Sequence, residues 1–587
     1  MTHFVGILNK QRDGALPDAA SQAEIKSRVL KGLSRAGHGA PSVAERGRLW
    51  AGVLGGAPEA CTSFLPHPDG IGLVAGDPLL LEDPAALAAG SPVVQADSAA
   101  AVLDALRAGR LVALCAVQGM FAAASWQPET GTLCLATDKL ANRPLYYKDE
   151  ADRFVFATSL RLLRLACGEA EQVDERGFAE LLYFGQPLGP RTVFAGIQVL
   201  RPGEWLRLAP GSPPQRQFYF DFGQQAPMEV GRDEALQRLH QAFSRAVRRR
   251  LSPGPQEAFL SGGMDSRAVV AELVDQGQDL STFCAAYPGS IDDVVARQVS
   301  DAFGSRHHTW HRSPADRIKV ALDPFAIYAR DHFPASTGRP AGAVRPLWSG
   351  DGGSVMLGHV YMNAERVRLA GGKPSAELMR RLFPALQAQP TRQISAPRLR
   401  QLSELALEGV LEEFNSYASV APDRRLFQFY ARNDQARHLY HHFEAMDLSR
   451  VDLLTPFFDA EFVALVYALP IAWFLDHRLY NDWITGFRCP AGDIYWQPYR
   501  GHLPCPHPNP SAASDQWDQA WYAGPEVRRA YQQLATDLLG RQAPLAEPFL
   551  RRGVLHLCKW ANRLGAARYN YEVAYARNLI DALEPAA

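Results

Sequence analysis

The chain has 587 residues, 47% of them hydrophobic and 21% charged, so it is long enough to form more than one hydrophobic core. Its 61 basic and 62 acidic residues give a formal net charge of -1, which argues against a protein that binds nucleic acid mainly by neutralising phosphates. The eight cysteines are scattered without a C-x-x-C pair, which excludes a ribbon-type zinc site and gives no disulfide framework.

The apolar segments are too short for a membrane protein. The longest uncharged apolar runs, 111–126 and 462–475, are shorter than the ~18–20 residues that a membrane span needs. The amino terminus lacks the pattern of a signal peptide. We therefore expect a cytoplasmic protein that binds neither membrane nor nucleic acid.

The first part of the chain predicts short strands separated by turns. Segments 111–117, 132–137 and 153–157 are apolar or alternating runs of strand length, typical of an antiparallel β-rich domain. Segment 209–225 is rich in Pro, Gly, Ser and Gln, as domain linkers are. The predicted organisation is an amino-terminal domain (1–210), a linker (211–232) and a second domain (233–587).

The second domain predicts a parallel α/β sheet. A helix over 234–251 precedes a strand over 257–260, and after a Gly-rich turn an apolar helix begins at Arg267. A second strand (281–286) and a second helix (293–303) follow. This alternation indicates parallel strands with crossover helices, and beyond about residue 360 the pattern is mostly helical.

The segment SGGMDS, residues 261–266, stands between the first strand and its helix. Its two glycines let the backbone approach an anion, and the N–H groups at the start of the helix can bind phosphate oxygens. The residues predicted to bind the phosphates are Leu260, Ser261, Gly262, Gly263, Asp265 and Ser266. Because a carboxylate does not favour bare phosphate, Asp265 is the predicted magnesium ligand. The alternative is a simple junction in which Asp265 or Ser266 caps the helix.

SGGMDS resembles the pyrophosphate loop of the N-type ATP pyrophosphatases, which cleave ATP between the α and β phosphates. Four further segments are similar to the asparagine-synthetase-like branch of that family: 117–148, 282–308, 349–358 and 455–470. The resemblance implies an amino-terminal glutaminase-like (Ntn-type) α/β sandwich domain. It also implies an α/β parallel-sheet ATP-pyrophosphatase domain with a helical carboxyl-terminal part, and ATP and Mg²⁺ as cofactors.

The amino terminus departs from the family pattern. Glutamine-using members begin Met-Cys-Gly-Ile, and the Cys hydrolyses glutamine to ammonia; this chain has Thr2 and His3 there and lacks the glutamine-holding motifs. Thr2 remains an alternative amino-terminal nucleophile. The favoured interpretation is an inactive glutaminase domain, so that a substrate supplies the amine.

The second Gly-rich loop, residues 349–355, also departs from the family, which usually reads Gly-(Glu/Asp)-Gly-(Gly/Ser)-Asp-Glu. Ser354 and Val355 replace the acidic pair. The residues carried over to nucleotide binding are Ser349 and Gly350. Asp351 is a predicted proton acceptor, with a turn-forming aspartate as the alternative.

Two more residues complete the predicted catalytic set of Asp351, Asp452 and Arg500. Asp452 precedes the family's Pro-Phe-x-Asp segment and is predicted to position an attacking amine and, like Asp351, to be a candidate acceptor of its proton, with a salt bridge as the alternative. Arg500 lies in the loop 495–501, where the family has a pyrophosphate-binding Lys, and is predicted to replace its charge; a surface arginine is the alternative.

A group of histidines has the spacing of a candidate metal site. His438, His441 and His442 lie near Glu444, and their spacing would allow a metal on one helical face. Because no recognised motif surrounds them, a packed or solvated helix is favoured. Asp459 is predicted to cap the helix that follows it.

The resemblance implies that a carboxylate attacks ATP to form an acyl-adenylate and pyrophosphate, and that an amine then displaces AMP. The favoured product is the macrolactam (isopeptide) ring of a lasso peptide, made from a leader-cleaved precursor peptide, with a leader protease as a candidate partner. Extra sequence at 370–435 and 517–575 suits a bulky peptide, and 480–521 is the predicted wall of its pocket. A β-lactam synthetase, an ammonia-dependent asparagine-synthetase-like enzyme and a non-catalytic nucleotide-binding protein remain alternatives.

Overall fold

The computed structural model describes residues 3–10, 19–33, 41–54, 62–67, 70–80, 95–167, 172–312, 345–440, 442–443, 451–510, 524–567 and 569–584. The strands are β1 (Phe4–Asn9), β2 (Ser42–Arg46), β3 (Leu49–Val53), β4 (Thr62–His67), β5 (Gly70–Asp77), β6 (Met120–Gln127), β7 (Thr132–Thr137), β8 (Tyr146–Asp149), β9 (Arg153–Ala157), β10 (Ile197–Val199), β11 (Glu204–Leu208), β12 (Gln215–Phe218), β13 (Gln256–Phe259), β14 (Leu280–Ala286), β15 (Arg306–His311), β16 (Arg345–Trp348) and β17 (Val451–Leu454).

The α-helices are α1 (Ala19–Leu33), α2 (Gln95–Arg107), α3 (Leu111–Leu114), α4 (Leu160–Ala166), α5 (Glu175–Phe184), α6 (Arg232–Arg248), α7 (Asp265–Asp275), α8 (Ile291–Phe303), α9 (Ala364–Ala370), α10 (Ala376–Leu382), α11 (Ala396–Ser416), α12 (Arg425–Phe429), α13 (Ala436–His438), α14 (Ala460–Ala468), α15 (Arg478–Ile484), α16 (Pro525–Gly540), α17 (Arg552–Arg563) and α18 (Asn570–Leu583). Among the described helices, none is both long and apolar enough to cross a lipid bilayer.

The amino-terminal domain is a sandwich of two six-stranded antiparallel sheets. Their strand orders are β10-β8-β9-β1-β3-β2 and β12-β11-β7-β6-β5-β4. Side chains from the facing sides, such as Phe4 and Phe156 from one sheet and Leu73 and Trp126 from the other, form a common buried core. Helices α1 and α4 pack on the first sheet and α2 on the second. The predicted α/β sandwich is therefore confirmed.

The second domain contains a five-stranded parallel sheet in the order β15-β14-β13-β16-β17, as the strand–helix alternation predicted. Strand β13 lies between β14 and β16, and Ala258 is paired with Trp348. The loops after β13 and β16 therefore leave the same edge of the sheet side by side. In open α/β sheets this edge, where the strand order reverses, is the usual ligand site.

Of the three strands predicted in the amino-terminal domain, two are present and one is not. Segments 132–137 and 153–157 form β7 and β9. Segment 111–117 instead begins with the one-turn helix α3. Gly109, at φ +64°, turns the chain just after α2, and Val112 is 84% exposed, so the apolar run does not pack as a strand.

The predicted linker, 211–232, is part of the packed structure. Its strand β12 pairs with β11 at the edge of the sandwich, and Phe222 is buried against the second domain. Phe222 stacks on Tyr467 with ring centroids 5.4 Å apart. The domain boundaries at 210 and 233 stay predictions, but the segment between them is not a free tether.

A buried ionic cluster fixes the helix α6 against α14. Arg249 and Arg250, at the end of α6, bind the Asp459 carboxylate at 3.1 and 2.8 Å, and Arg249 also binds Glu461. Asp459 accepts a hydrogen bond from the Glu461 N–H (3.1 Å), which confirms it as the predicted helix cap. Asp459 is fully buried, so its charge is balanced by these arginines and not by water.

We expect Asp459→Asn to lower the free energy of unfolding by about 3 kcal/mol, because asparagine keeps the cap but leaves the buried Arg250 without its counter-charge and Arg249 with Glu461 alone. Chemical denaturation measures the change. The control is Asp482→Asn, which removes the half-exposed partner of Arg232 and should cost at most about 1 kcal/mol. Equal losses for the two variants would contradict this account of the cluster.

Candidate active site

The two Gly-rich loops touch through their backbones. A Cβ atom added at Gly350 would lie 2.3 Å from the Ser266 nitrogen, and one at Gly353 would lie 2.7 Å from the Asp265 carboxyl carbon. Any side chain at these positions would push the loops apart. The glycines of the second loop are therefore required by its packing on the start of α7.

The loop 260–264 joins β13 to α7, as the sequence predicted. The Ser261 N–H donates to Ser266 Oγ (3.0 Å), and the Gly262 N–H donates to Asp292 Oδ1 (2.8 Å). These bonds hold the loop against the amino-terminal end of α7, where the helix dipole favours an anion. The predicted phosphate-binding residues thus lie together at the carboxyl edge of the sheet.

The Asp265 carboxylate lies between the start of α7 and the second Gly-rich loop. It accepts hydrogen bonds from the Ser354 N–H (2.9 Å), the Ser354 hydroxyl and the Tyr480 hydroxyl (2.7 Å). Burial raises the pKa of Asp265, against the lowering effect of the hydrogen bonds from Ser354 and Tyr480. Ser354, which replaces an acidic residue of the family, therefore binds the remaining carboxylate instead of adding a second one.

The residues fit a magnesium ion that arrives with a phosphate ligand. Among the described residues, no group of three His, Cys, Asp or Glu side chains could hold a metal ion. Magnesium is commonly held by one or two carboxylates together with substrate phosphates. Asp265 with the Ser354 hydroxyl matches that donor set, whereas a metal cage made only of protein ligands is not formed there.

Asp351 forms an ion pair that the sequence analysis missed. Its carboxylate lies 3.0 Å from His438 Nε2 and accepts a hydrogen bond from Ser349 Oγ (2.5 Å). Burial opposes ionisation, but the hydrogen bond and charge of His438 lower the pKa of Asp351 to about 2. The same contact raises the pKa of His438. The two residues thus form a hydrogen-bonded dyad beside the second Gly-rich loop.

One histidine of this group contacts the carboxylate of the second Gly-rich loop. His438 binds Asp351, and the described residues around it form no metal cluster. His441 and Glu444 lie outside the described residues. Since Asp351 and His438 are 87 positions apart, helical spacing within HLYHHFE gives no signal of their contact.

Asp452 lies in the interior of its strand. It is paired with Pro346 across β16 and β17, and it lines a cavity between the two domains together with Arg143 and Arg250. The described lining of this cavity includes no residue of either Gly-rich loop. The structure thus places Asp452 at this cavity, and its predicted part in positioning an amine stays a prediction.

The loop 495–501 reaches the site, but not through the predicted residue. The Gln497 N–H donates to the Gly262 carbonyl (3.2 Å), and the Tyr499 hydroxyl lies 2.6 Å from Ser354 Oγ. The side chain of Arg500 is exposed. A pyrophosphate contact by Arg500 stays a prediction, whereas Tyr499 is part of the site.

The Arg267 side chain fixes the start of the loop 495–501 through hydrogen bonds to backbone carbonyls. It is fully buried, and its guanidinium donates to the carbonyl oxygens of Ile494 and Tyr495, both at 2.6 Å. Burial lowers the pKa of Arg267 to about 10. Because Arg267 follows SGGMDS directly, the same helix turn positions both the phosphate loop and the loop that covers it.

The amino-terminal residues give little information on glutamine hydrolysis. Thr2 lies outside the described residues. The neighbouring His3 is buried, and its Nδ1 lies 3.2 Å from the Thr158 hydroxyl. His3 therefore packs as part of the sandwich, and the predicted loss of glutaminase activity stays a prediction.

We expect Gly350→Ala to destabilise the protein by about 1–3 kcal/mol and to abolish ATP binding, because the new methyl group collides with backbone atoms of α7. Gly263→Ala is the matched control, since its Cβ would meet only Ser261 Oγ, at 3.5 Å. It should leave stability unchanged and weaken ATP–magnesium binding about tenfold by blocking backbone contact with phosphate. Thermal melting and calorimetric titration measure the two effects; an equal loss of stability in both variants would contradict the proposed loop contact.

Comparison with known proteins agrees with this arrangement. A family model described as a glutamine amidotransferase domain matches residues 92–219, and one described as asparagine synthase matches residues 238–480. Glutamine-hydrolyzing asparagine synthetase 3 of Bacillus subtilis is 26% identical over 221 residues, 34% of this chain and 36% of the relative. Glutamine-hydrolyzing asparagine synthetase 2 of Arabidopsis thaliana is 32% identical over 143 residues, 20% of this chain and 24% of the relative.

The matched regions span well under half the length of these relatives. Among solved structures, glutamine phosphoribosylpyrophosphate amidotransferase from B. subtilis is 10% identical and covers 59% of this chain and 74% of its own. The TM-score between the two structures is 0.23. The two family models thus make the first domain similar to a glutamine amidotransferase domain and the second similar to asparagine synthase.

Proposed function

We propose that the protein is an ATP-dependent amide-bond synthetase that adenylates a carboxylate and joins it to an amine, releasing AMP and pyrophosphate. The observation that carries the proposal is the loop 260–264 before α7 packed against the second Gly-rich loop, with the half-buried Asp265 between them. The relatives named as asparagine synthetases support the same reaction class.

In the adenylation step, the residues of the two Gly-rich loops would bind the phosphates and magnesium. The residues that would bind the phosphates are Leu260, Ser261, Gly262, Gly263, Ser266, Ser349 and Gly350, and Asp265 would hold magnesium. Magnesium, when bound, supplies positive charge next to the phosphate oxygens. The N–H groups at the start of α7 stabilise the negative charge that develops on the departing pyrophosphate. The carboxylate oxygen of the substrate forms a bond to the α-phosphorus while the bond to pyrophosphate breaks.

The Asp351–His438 dyad supports the amide-forming step. As the amine nitrogen bonds to the activated carbonyl carbon, the C–O bond to AMP breaks and AMP leaves with its electron pair. His438, in its neutral form, accepts the proton that the nitrogen loses as the amide forms. Asp351 holds and orients the imidazole, as a carboxylate does in other acid–base pairs, while the partly exposed His438 is accessible to substrate.

For the substrate, we favour a leader-cleaved precursor peptide that is closed into a macrolactam ring. Three features support this choice: Thr2 in place of the family's cysteine, the long helical carboxyl-terminal part, and the exposed tyrosines at the site. Of the predicted pocket wall, Tyr480 and Tyr499 lie at the site, whereas 511–521 lie outside the described residues. A leader protease remains a proposed partner.

Two alternatives have specific support. The relatives named as glutamine-hydrolyzing asparagine synthetases favour an asparagine-synthetase-like reaction on a small substrate, and the ammonia-dependent and β-lactam-forming variants of that reaction stay alternatives. The replacement of the family's acidic pair by Ser354 and Val355 favours a nucleotide-binding protein without catalysis. Each alternative makes a different prediction for the substrates that release pyrophosphate.

We expect pyrophosphate and AMP in equal amounts when the purified protein is incubated with ATP, magnesium and its acyl substrate. The substrate panel contains the leader-free peptide encoded beside the gene, aspartate with ammonium chloride, a small β-amino acid, and aspartate with glutamine. The peptide should lose the mass of one water and resist carboxypeptidase. No glutamate should be released from glutamine, and Thr2→Ala should not change synthesis.

Asp265→Ala should abolish pyrophosphate release with every substrate, whereas Asp482→Ala, on the surface, should not reduce it. Product only from a small substrate would replace the peptide proposal by one of the alternatives. Formation of ADP and phosphate would contradict the adenylating mechanism. Binding of ATP without turnover of any substrate would favour the non-catalytic alternative.

We expect His438→Gln to keep pyrophosphate release and to slow amide formation about a hundredfold, because glutamine fills the space but cannot accept a proton. Single-turnover measurements separate the two steps. Asp452→Asn should slow amide formation far less, since Asp452 lies in the domain interface. Equal losses in both steps for His438→Gln would show that the dyad only maintains the fold.

A further inference from the structure

A stripe of polar side chains leads from the dyad to exposed aromatic rings. Tyr430, Asp434 and His438 follow one another at intervals of four residues, on a π-helix over Tyr430–Gln435 and the short helix α13 that continues it. Residues four apart lie on the same side of a helix. The stripe therefore places Asp434 between Tyr430 and the histidine of the dyad.

Asp434 is an acidic residue without a cation. Among the described residues it forms no ion pair, and its carboxylate accepts hydrogen bonds from the side-chain amides of Gln186 (3.5 Å) and Gln435 (2.6 Å). It is half-buried, and its charge acts on the nearby His438. Two neutral amides orient the carboxylate but leave its negative charge available to a ligand.

Two tyrosine rings form the outer end of the stripe. The Tyr361 and Tyr430 rings are 4.9 Å apart, and Tyr361 is 43% exposed. The Arg366 guanidinium near them donates to the Tyr430 hydroxyl (2.8 Å) and to the Tyr361 and Leu382 carbonyls. Aromatic faces next to a carboxylate are the combination that recognises an organic ammonium ion.

We propose that Asp434, with Tyr361 and Tyr430, forms the subsite for the acceptor amine. This inference rests on the proposed function, in which an amine attacks an acyl-adenylate. An amine is protonated near neutral pH and must lose a proton before it can attack. Asp434 holds the ammonium ion next to His438, which takes one proton to free the amine for attack, passes that proton to solvent, and then takes the second proton as the amide forms.

The amino-terminal domain supports this subsite directly. Gln186 binds Asp434, the Gly189 N–H donates to Asn433 Oδ1 (2.8 Å), and Asn142 donates to the Gln435 carbonyl (2.9 Å). A π-helix is a less stable backbone arrangement than an α-helix and is often found at functional sites. A domain without glutaminase activity would thus still be needed, because it holds the π-helix that carries Asp434.

The test compares two acceptors that differ in charge. The donor is the acyl substrate that releases pyrophosphate in the panel above, with its own amine acetylated where it has one. The acceptors are methylammonium, which is charged at pH 7.5, and hydroxylamine, which is neutral. We expect Asp434→Asn to raise the KM for methylammonium about tenfold and to leave the KM for hydroxylamine unchanged within about twofold.

Asp434→Glu should restore part of the affinity for methylammonium, and Asp423→Asn, an exposed aspartate on the same part of the chain, should change neither KM. Equal KM increases for both acceptors, or no increase, would overturn the subsite. Pyrophosphate release with hydroxylamine and thermal melting show whether the variant is folded. Absence of pyrophosphate release from the wild-type protein with every donor would instead overturn the proposed function, and this inference with it.

Discussion

The backbone contact between the two Gly-rich loops is the constraint on which the site depends. Strands β13 and β16 are neighbours in the parallel sheet, so their loops leave it side by side. Only glycine at 350 and 353 lets the second loop come close enough for the Ser354 N–H and hydroxyl to bind Asp265. Ser354 in turn contacts Tyr499, so the covering loop is positioned by the same contact.

The amino-terminal domain is structurally joined to the site although its catalytic position differs from the family. Its residues bind the π-helix over Tyr430–Gln435, and that helix leads to His438. Arg437 adds hydrogen bonds to the carbonyls of Gly189 (2.6 Å) and Arg191 (2.9 Å). These contacts join the first domain to the second whether or not the first one hydrolyses glutamine.

The sequence predicted those elements whose residues are continuous in the chain and whose local conformational preference agrees with their packing in the fold. The alternating segments of β7 and β9 and the phosphate loop between β13 and α7 are continuous in sequence, and each matches one structural element. Segment 111–117 shows the limit of this approach. Its apolar residues suit a strand, but the chain turns at Gly109, Val112 is exposed, and among the described residues the segment forms a single β-bridge, between Val117 and Leu80.

The sequence by itself determined the fold class, the phosphate loop and the position of Asp265, because glycines, hydroxyls and a carboxylate that act together there are adjacent in the chain. Only the tertiary structure decided the dyad and the place of Asp452. Asp351 and His438 meet across 87 residues, and Asp452 is kept in the strand interior by its register with Pro346. Such contacts are set by strand pairing and helix packing, which a local pattern of residues does not encode.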